Sequence, residues 1–307
     1  MSLRFVYAVA LFVCSALPCQ LLAVQSTPAA RLDWSAGDSS RVAWLEQHGR
    51  TVRRPHATVV APADSFTEVG QRALADSLDR GVAALRRLMG APYAWQRIAS
   101  RPVTFYVSPD RFVSHGSGRD VVFVPLVRVR AGTAPFLHEA SHELLAAVAP
   151  FAPWEYTDTL ARNRVAERWP LWLTEGLPDY LAQRVAAEER LHEGDVFAIG
   201  GLAVVDSVCA ARAAANPRRE EMLRVIGATG RVEALFTTDR ATVAPAFYAC
   251  AQSMTKFLVE RVGVGPMVAL LPGIKTGSWE EELGRAAGVP LSELRRQWLT
   301  KLRLTER

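Results

Sequence analysis

The chain has 307 residues, half of them apolar, and a mean hydropathy of +0.06, which is typical of a globular protein with a substantial core. The net charge is +5, but the arginines are scattered and often stand beside acids. The sequence has no basic stripe interleaved with aromatic residues, so we expect no nucleic-acid partner.

The N-terminus has the pattern of a secretory signal peptide over residues 1–26. Arg4 supplies the positive charge, residues 5–17 are apolar, and residues 24–26 are suited to cleavage. We therefore expect a secreted or periplasmic protein with no stable membrane span once the signal is removed. An uncleaved membrane anchor is the alternative, which Ser15, Pro18 and Gln20 disfavour.

The residues that follow have apolar runs that predict a small sheet. Residues 27–56 are mixed in character, and we expect a poorly ordered lead there. Apolar, β-branched runs at 57–61, 103–107 and 121–124 predict three strands.

A helix is predicted between the first two strands. Leucines follow helical spacing up to Gly90, and Ser65 with Glu68 forms a capping box at the start of this pattern.

The string HEASH at 138–142 is the most informative motif. On a helix its spacing places His138 and His142 on one face, one turn apart, so that both imidazoles can reach one metal ion. Glu139 projects to the side, from where it can take a proton from a metal-bound water without being a ligand. Thr133 is a candidate N-cap of this helix. The alternative is a buried helix whose histidines have ordinary hydrogen-bond partners.

A second motif, WLTEGLPDY at 172–180, follows. Glu175 is the natural third zinc ligand, because it stands among large apolar residues where an unpaired acid is rare. A solvated acid on the helix surface is the alternative. Asp179, one helical turn later, can accept the free N–H of a ligand histidine. Pro178 removes one hydrogen bond if the helix starts near Thr174 and requires a kink if it starts at Pro170.

Cys209 and Cys250 are the cysteines that remain after the signal. Two such cysteines in an exported protein often form a disulfide, and two buried thiols are the alternative. An apolar stripe from Phe247 to Val262 predicts a helix, and Tyr248 lies beside this stripe.

These motifs together resemble the gluzincin metallopeptidases, specifically the peptidase MA-like domains. The similarity spans roughly residues 57–303 and is carried by HEASH, WLTEGLPDY, the segment 247–263 and the ending at 291–298. The resemblance implies zinc bound by His138, His142 and Glu175, and Glu139 as the catalytic base. It also implies that Tyr248 stabilises the oxyanion, whereas a core or surface tyrosine is the more common role.

The resemblance implies an α+β, zincin-like fold. A small mixed sheet and the metal helix would occupy 57–150, and a mainly helical subdomain would occupy 151–307, with residues 149–170 as an insertion. In that arrangement an edge strand next to the metal helix pairs with extended substrate. We assign it to 121–129, with an interior strand as the alternative. His115, in the preceding loop, is the one other histidine that we would test for a catalytic part.

The sequence therefore predicts a zinc-dependent peptidase that acts on a peptide or protein substrate. Two alternatives stay open: a zincin-like binding or scaffold protein that cleaves nothing, and a zinc hydrolase of a non-peptide bond.

Overall fold

A five-stranded mixed sheet forms the first layer of the fold. The computed structural model describes residues 35–90, 101–117, 120–147, 170–227, 233–271 and 279–304. The strands are β1 (Gly49–Arg53), β2 (Ala57–Pro62), β3 (Val103–Ser108), β4 (His115–Gly116) and β5 (Val121–Pro125). Their order across the sheet is β1-β2-β3-β5-β4. The outer strands β1 and β4 run antiparallel to their neighbours, and the two inner pairs are parallel.

Burial explains why the three apolar runs form strands. Every residue of β2 and β5 is buried, which is the pattern of strands that are covered on both faces. The predicted strands at 57–61, 103–107 and 121–124 are thereby confirmed.

The sheet edge lies elsewhere than predicted. The assignment of an edge strand to 121–129 is wrong, because β5 ends at Pro125 and lies between β3 and β4. Pro125 has no N–H to donate to a further ladder bond, and the chain turns directly into a short helix. The edge is β4, whose His115 pairs with Phe123. The segment that was predicted as a loop before this strand, the one with His115, therefore contributes the edge.

The expected poorly ordered lead is also wrong for residues 36–53. A helix, α1 (Ala36–His48), and then β1 occupy this segment. Val42 and Leu45 of α1 are each 1% exposed, so the helix buries a small apolar face. The rest of the lead, 27–34, and the predicted signal, 1–26, lie outside the described residues.

Helices account for most of the remaining chain. They are α2 (Glu68–Met89), α3 (Leu126–Arg130), α4 (Phe136–Ala146), α5 (Leu171–Glu189), α6 (Val205–Ala215), α7 (Arg219–Val225), α8 (Glu233–Val262), α9 (Val264–Leu270), α10 (Trp279–Ala287) and α11 (Leu291–Lys301). The backbone of Asp239 is not helical, so α8 consists of two segments joined at a break. The large side chains of Trp172, Trp279 and Trp298 fill the core between the later helices.

The predicted helix after the first strand forms, but its cap differs from the prediction. The side chain of Thr67 accepts a hydrogen bond from the N–H of Gly70 at 3.0 Å, whereas the Ser65 hydroxyl donates to Asp64. The helix therefore begins two residues later than a box started by Ser65 would place it.

The fold is thus α+β, with a small mixed sheet followed by helices, as the sequence predicted. Trp34–Arg307 forms one compact unit, and the predicted boundary at 150/151 lies outside the described residues. Among the helices of the described ranges, none has the length and apolar character that crossing a bilayer requires.

Candidate metal centre

The helix that carries HEASH is held at its N-terminus by a distant acid. Glu193 accepts hydrogen bonds from the backbone N–H groups of Leu137 (2.9 Å) and His138 (3.0 Å). A carboxylate at this end of a helix satisfies first-turn donors and interacts favourably with the helix dipole. The expected N-cap, Thr133, plays no such part, since α4 begins at Phe136 with no cap from a neighbouring side chain.

Gly194 allows Glu193 to reach this position. A Cβ on Gly194 would lie 2.3 Å from the backbone carbon of Thr133 and 2.5 Å from that of Ala134. The backbone N–H of Gly194 donates to the carbonyl of Ala134 at 3.1 Å. Only a residue without a side chain fits this close backbone approach.

The two imidazoles of α4 converge. His138 Nε2 and His142 Nε2 lie 3.0 Å apart, and the rings are nearly perpendicular, with an interplanar angle of 76°. His142 is buried and His138 is partly buried. The i, i+4 spacing of the motif therefore has the consequence that helix geometry predicts.

Helix α5 brings Glu175 to the same point. Glu175 Oε2 lies 3.7 Å from His138 Nε2 and 3.8 Å from His142 Nε2. The helix runs from Leu171 and continues through Pro178, so its N-terminus lies at the earlier of the two predicted positions. Because Pro178 has no N–H, the carbonyl of Thr174 receives no helical hydrogen bond from it.

The spacing of these three atoms fits a metal ion. Two ligands bound to one tetrahedral zinc at about 2.0–2.1 Å lie roughly 3.3 Å from each other. The distances among His138 Nε2, His142 Nε2 and Glu175 Oε2 are 3.0, 3.7 and 3.8 Å, which surround that value. His138, Glu139 and His142 also form a group that could hold a metal ion, with ligand atoms within 4.8 Å of one another. Glu175 Oε2 lies within 4 Å of both imidazoles, as a third ligand would.

Asp179 contacts the outer nitrogen of one imidazole. Its Oδ1 lies 2.7 Å from His138 Nδ1, so the ring donates Nδ1–H to the carboxylate, and Nε2 faces His142 and Glu175. The contact forms although Pro178 stands between Glu175 and Asp179 in the helix.

Tyr248 also lies at the site, but its hydroxyl is engaged. It donates a hydrogen bond to the Glu175 carboxylate, and its ring stacks on Phe197 with centroids 4.3 Å apart. Burial, together with the nearby charges of Glu175 and Asp179, raises the pKa of Tyr248 well above its usual range.

Helix α8 reaches Glu175 because α5 has a glycine at the contact. A Cβ on Gly176 would lie 2.4 Å from Thr255 Oγ1 and 2.6 Å from the carbonyl oxygen of Ala251. Cys250, two residues after Tyr248, forms a disulfide with Cys209 of α6. Of the two alternatives that the sequence left open, the disulfide is the one observed.

Burial and mutual charge shift the titration of this cluster. Burial lowers the pKa of His138, but Asp179, Glu139 and Glu175 outweigh it and raise the pKa to about 10. Burial raises the pKa of Glu175 to about 7 and that of Glu139 above its usual value, with the charge of His138 opposing both shifts. Burial and the charge of His138 lower the pKa of His142 well below its usual value. A divalent cation would compensate these buried carboxylates, so the donor set suits a metal in charge as well as in spacing.

The converging side chains line a cleft of about 510 Å³. The edge strand contributes His115, whose ring stacks on Phe123 and whose two nitrogens face acceptors. Nε2 lies 3.2 Å from Asp38 Oδ1, and Nδ1 lies 2.8 Å from the carbonyl of Val113. Burial lowers the pKa of His115, but Asp38 and the Val113 carbonyl raise it overall.

Glu193 and Asp38 were not predicted from the sequence. Glu193 stands in a glycine-containing stretch and Asp38 in a segment without clear periodicity, and each acts on a residue far away in the chain. The one local signal was Gly194, since glycine is common where the backbone closely approaches another segment.

No family model matches the chain, and no curated protein matches its sequence.

Proposed function

We propose that this protein is an exported zinc-dependent peptidase of the gluzincin type. The observation that carries the proposal is the convergence of His138 Nε2, His142 Nε2 and Glu175 Oε2 within 4 Å of one another in a cleft. Two histidines and a glutamate are a ligand set that catalytic zinc uses, with one position left for water.

In this proposal His138, His142 and Glu175 hold the zinc. When bound, zinc supplies a Lewis acid and lowers the pKa of water to near 7. Asp179 keeps His138 in the tautomer whose Nε2 is free to act as a ligand, and Tyr248 orients the Glu175 carboxylate through its hydrogen bond.

Glu139 is the general base in the proposed reaction. It lines the cleft next to the imidazoles, and burial raises the pKa of its carboxyl, which makes the carboxylate a better proton acceptor. The carboxylate takes a proton from the attacking water and passes it to the departing amine nitrogen.

The sheet edge favours a peptide over other acyl compounds. Residues 113–115, which include the first residue of β4, line the cleft beside the imidazoles. An extended peptide can add to an exposed sheet edge through main-chain hydrogen bonds, which an isolated ester or sugar linkage lacks.

The disulfide supports export. A bond such as Cys209–Cys250 forms and persists in an oxidising compartment and is rare in the cytosol. The signal pattern at residues 1–26 predicts the same location.

The test combines metal analysis with peptide digestion. We expect one zinc per chain in the wild type and in Glu139→Gln, and cleavage of a peptide library by the wild type only. Loss of the base should lower turnover by roughly 10²–10⁴-fold. His142→Ala should lose the zinc itself.

The same experiment separates the alternatives. Stoichiometric zinc without cleavage of any peptide would favour the binding or scaffold protein. Cleavage of esters but not of peptides would favour a hydrolase of another bond. Full turnover by Glu139→Gln would exclude Glu139 as the base.

A further inference from the structure

Two guanidinium groups line the cleft without a part in the proposed reaction. Arg128 lies on α3, and Arg240 directly follows the break in α8 at Asp239. Neither has an ion-pair partner among the described residues, whereas many other arginines there bind a carboxylate. Those paired arginines are Arg41, Arg54, Arg72, Arg87, Arg184, Arg218, Arg285 and Arg296.

The two cations come from different elements of the fold. Arg128 of α3 lines the cleft together with Glu139 of α4, and Arg240 of α8 lines it together with Tyr248. Glu139 and Tyr248 belong to α4 and α8, two helices that both pack on α5. A ligand in the cleft therefore meets one positive charge from α3 and a second from α8.

The acids of the cleft are already engaged. Asp179 accepts from His138, and Glu175 accepts from Tyr248 and lies against both imidazoles. Asp195 Oδ2 accepts the backbone N–H of Gly200 at 2.6 Å. Among the described residues, the cationic groups of the cleft that no carboxylate pairs with are the two arginines, whereas His115 is paired with Asp38.

Apolar side chains accompany these cations. Val113 and Val196 line the same cleft and are 64% and 40% exposed. Exposed valines in the same cleft as the guanidinium groups suit a ligand that has an apolar group as well as a negative charge.

We propose that the cleft selects peptides that carry a carboxylate near the scissile bond, bound by Arg128 or Arg240. The carboxylate is either the side chain of an aspartate or glutamate or the free C-terminus of the peptide. A guanidinium binds such a group with two parallel charge-assisted hydrogen bonds. This inference rests on the proposed function for the bond that is cleaved, but recognition of the carboxylate is measurable without cleavage.

The experiment uses the zinc-loaded full chain and matched peptides. One set has an internal glutamate and an amidated C-terminus, a second has glutamine and a free C-terminus, and a third has glutamine and an amide. We expect kcat/KM for at least one carboxylate set to exceed that of the third set about tenfold or more, as a charged hydrogen bond implies. The set that gains identifies the source of the carboxylate.

Substitutions assign the preference to the two arginines. Arg128→Gln or Arg240→Gln should bring the ratio between the carboxylate and neutral sets close to one. Arg130→Gln is the matched control, because Arg130 is an exposed arginine of the same helix α3 that does not line the cleft. This control should keep the wild-type ratio.

Binding to the Glu139→Gln variant keeps the two proposals separable. Fluorescence anisotropy of labelled peptides on this variant should show the same discrimination. Cleavage with equal rates for all sets would overturn the carboxylate preference and leave the peptidase proposal standing. Tighter binding of the carboxylate sets without any cleavage by the wild type would support the preference and overturn the peptidase. Equal binding of all sets would overturn the preference in either case.

Discussion

The paired imidazoles of His138 and His142 show that the geometry of a local motif can be predicted from its sequence spacing. Helix geometry alone relates His138 to His142, and the structure places their Nε2 atoms 3.0 Å apart. Glu175 was predictable for another reason, since an acid among Trp172, Leu173 and Leu177 requires a buried partner. Both inferences depend on neighbours within a few positions, which is the range over which sequence fixes geometry.

The Asp179 contact predicts a defined loss of metal affinity. Asp179→Asn should weaken zinc binding about 10–100-fold, because the amide no longer fixes the tautomer of His138 or increases its basicity. Competition with a chelator measures the affinity. Asp195→Asn is the control, since this cleft carboxylate bonds to the backbone of Gly200 instead. Equal affinity for the wild type and Asp179→Asn would contradict the role.

A substitution at Tyr248 distinguishes a role in orienting the Glu175 carboxylate from a role in catalysis. Tyr248→Phe removes the hydrogen bond to Glu175 and leaves the ring on Phe197, so zinc affinity should fall roughly tenfold. Chelator competition and peptide kinetics on the same samples provide the readout. Tyr180→Phe is the control, because the Tyr180 hydroxyl accepts from Arg184 and does not line the cleft.

The same measurements on Tyr248→Phe would also reveal a catalytic role. A fall in kcat of about 10²-fold or more with unchanged zinc affinity would instead assign Tyr248 the oxyanion role that the family resemblance implies.

At the scale of elements, the strands and helices with a clear apolar pattern were predicted from the sequence, and those without such a pattern were missed. The apolar runs of β2, β3 and β5 were visible, but β4 has only two residues and no pattern to detect. Helix α1 was missed because Val42 and Leu45 are its only deeply buried apolar residues. The contact of Glu193 with α4 spans more than fifty positions and forms only in the folded chain.

The crossing of α5 and α8 depends on one missing side chain. Gly176→Ala would place a methyl group 2.4 Å from Thr255 Oγ1 and 2.6 Å from the carbonyl oxygen of Ala251, so the helices must separate. Such overpacking should cost about 1–3 kcal/mol of unfolding free energy, measured by urea denaturation. Gly265→Ala is the control, because no atom lies within 4 Å of a Cβ there. A neutral Gly176→Ala would mean that the helices do not pack as described.

At the scale of the whole molecule, the disulfide stabilises the helical layer. Reduction of Cys209–Cys250, whose cysteines are 41 residues apart, should lower the unfolding free energy by about 2–4 kcal/mol. Urea denaturation with and without reductant measures the change. The Cys209→Ala/Cys250→Ala protein is the control, since reductant should not alter its stability. An unchanged wild type under reductant would contradict the contribution.

The N-terminal segment has a practical consequence for anyone who shortens the chain. A protein that begins at residue 57 would lack β1, and β2 would present an unpaired backbone edge of buried, apolar residues, which favours intermolecular strand pairing. His115 would also lose Asp38, its carboxylate partner at the cleft wall. We expect such a truncation to self-associate, which light scattering would detect, whereas a protein that begins at residue 35 should remain monodisperse to the extent that the full chain does.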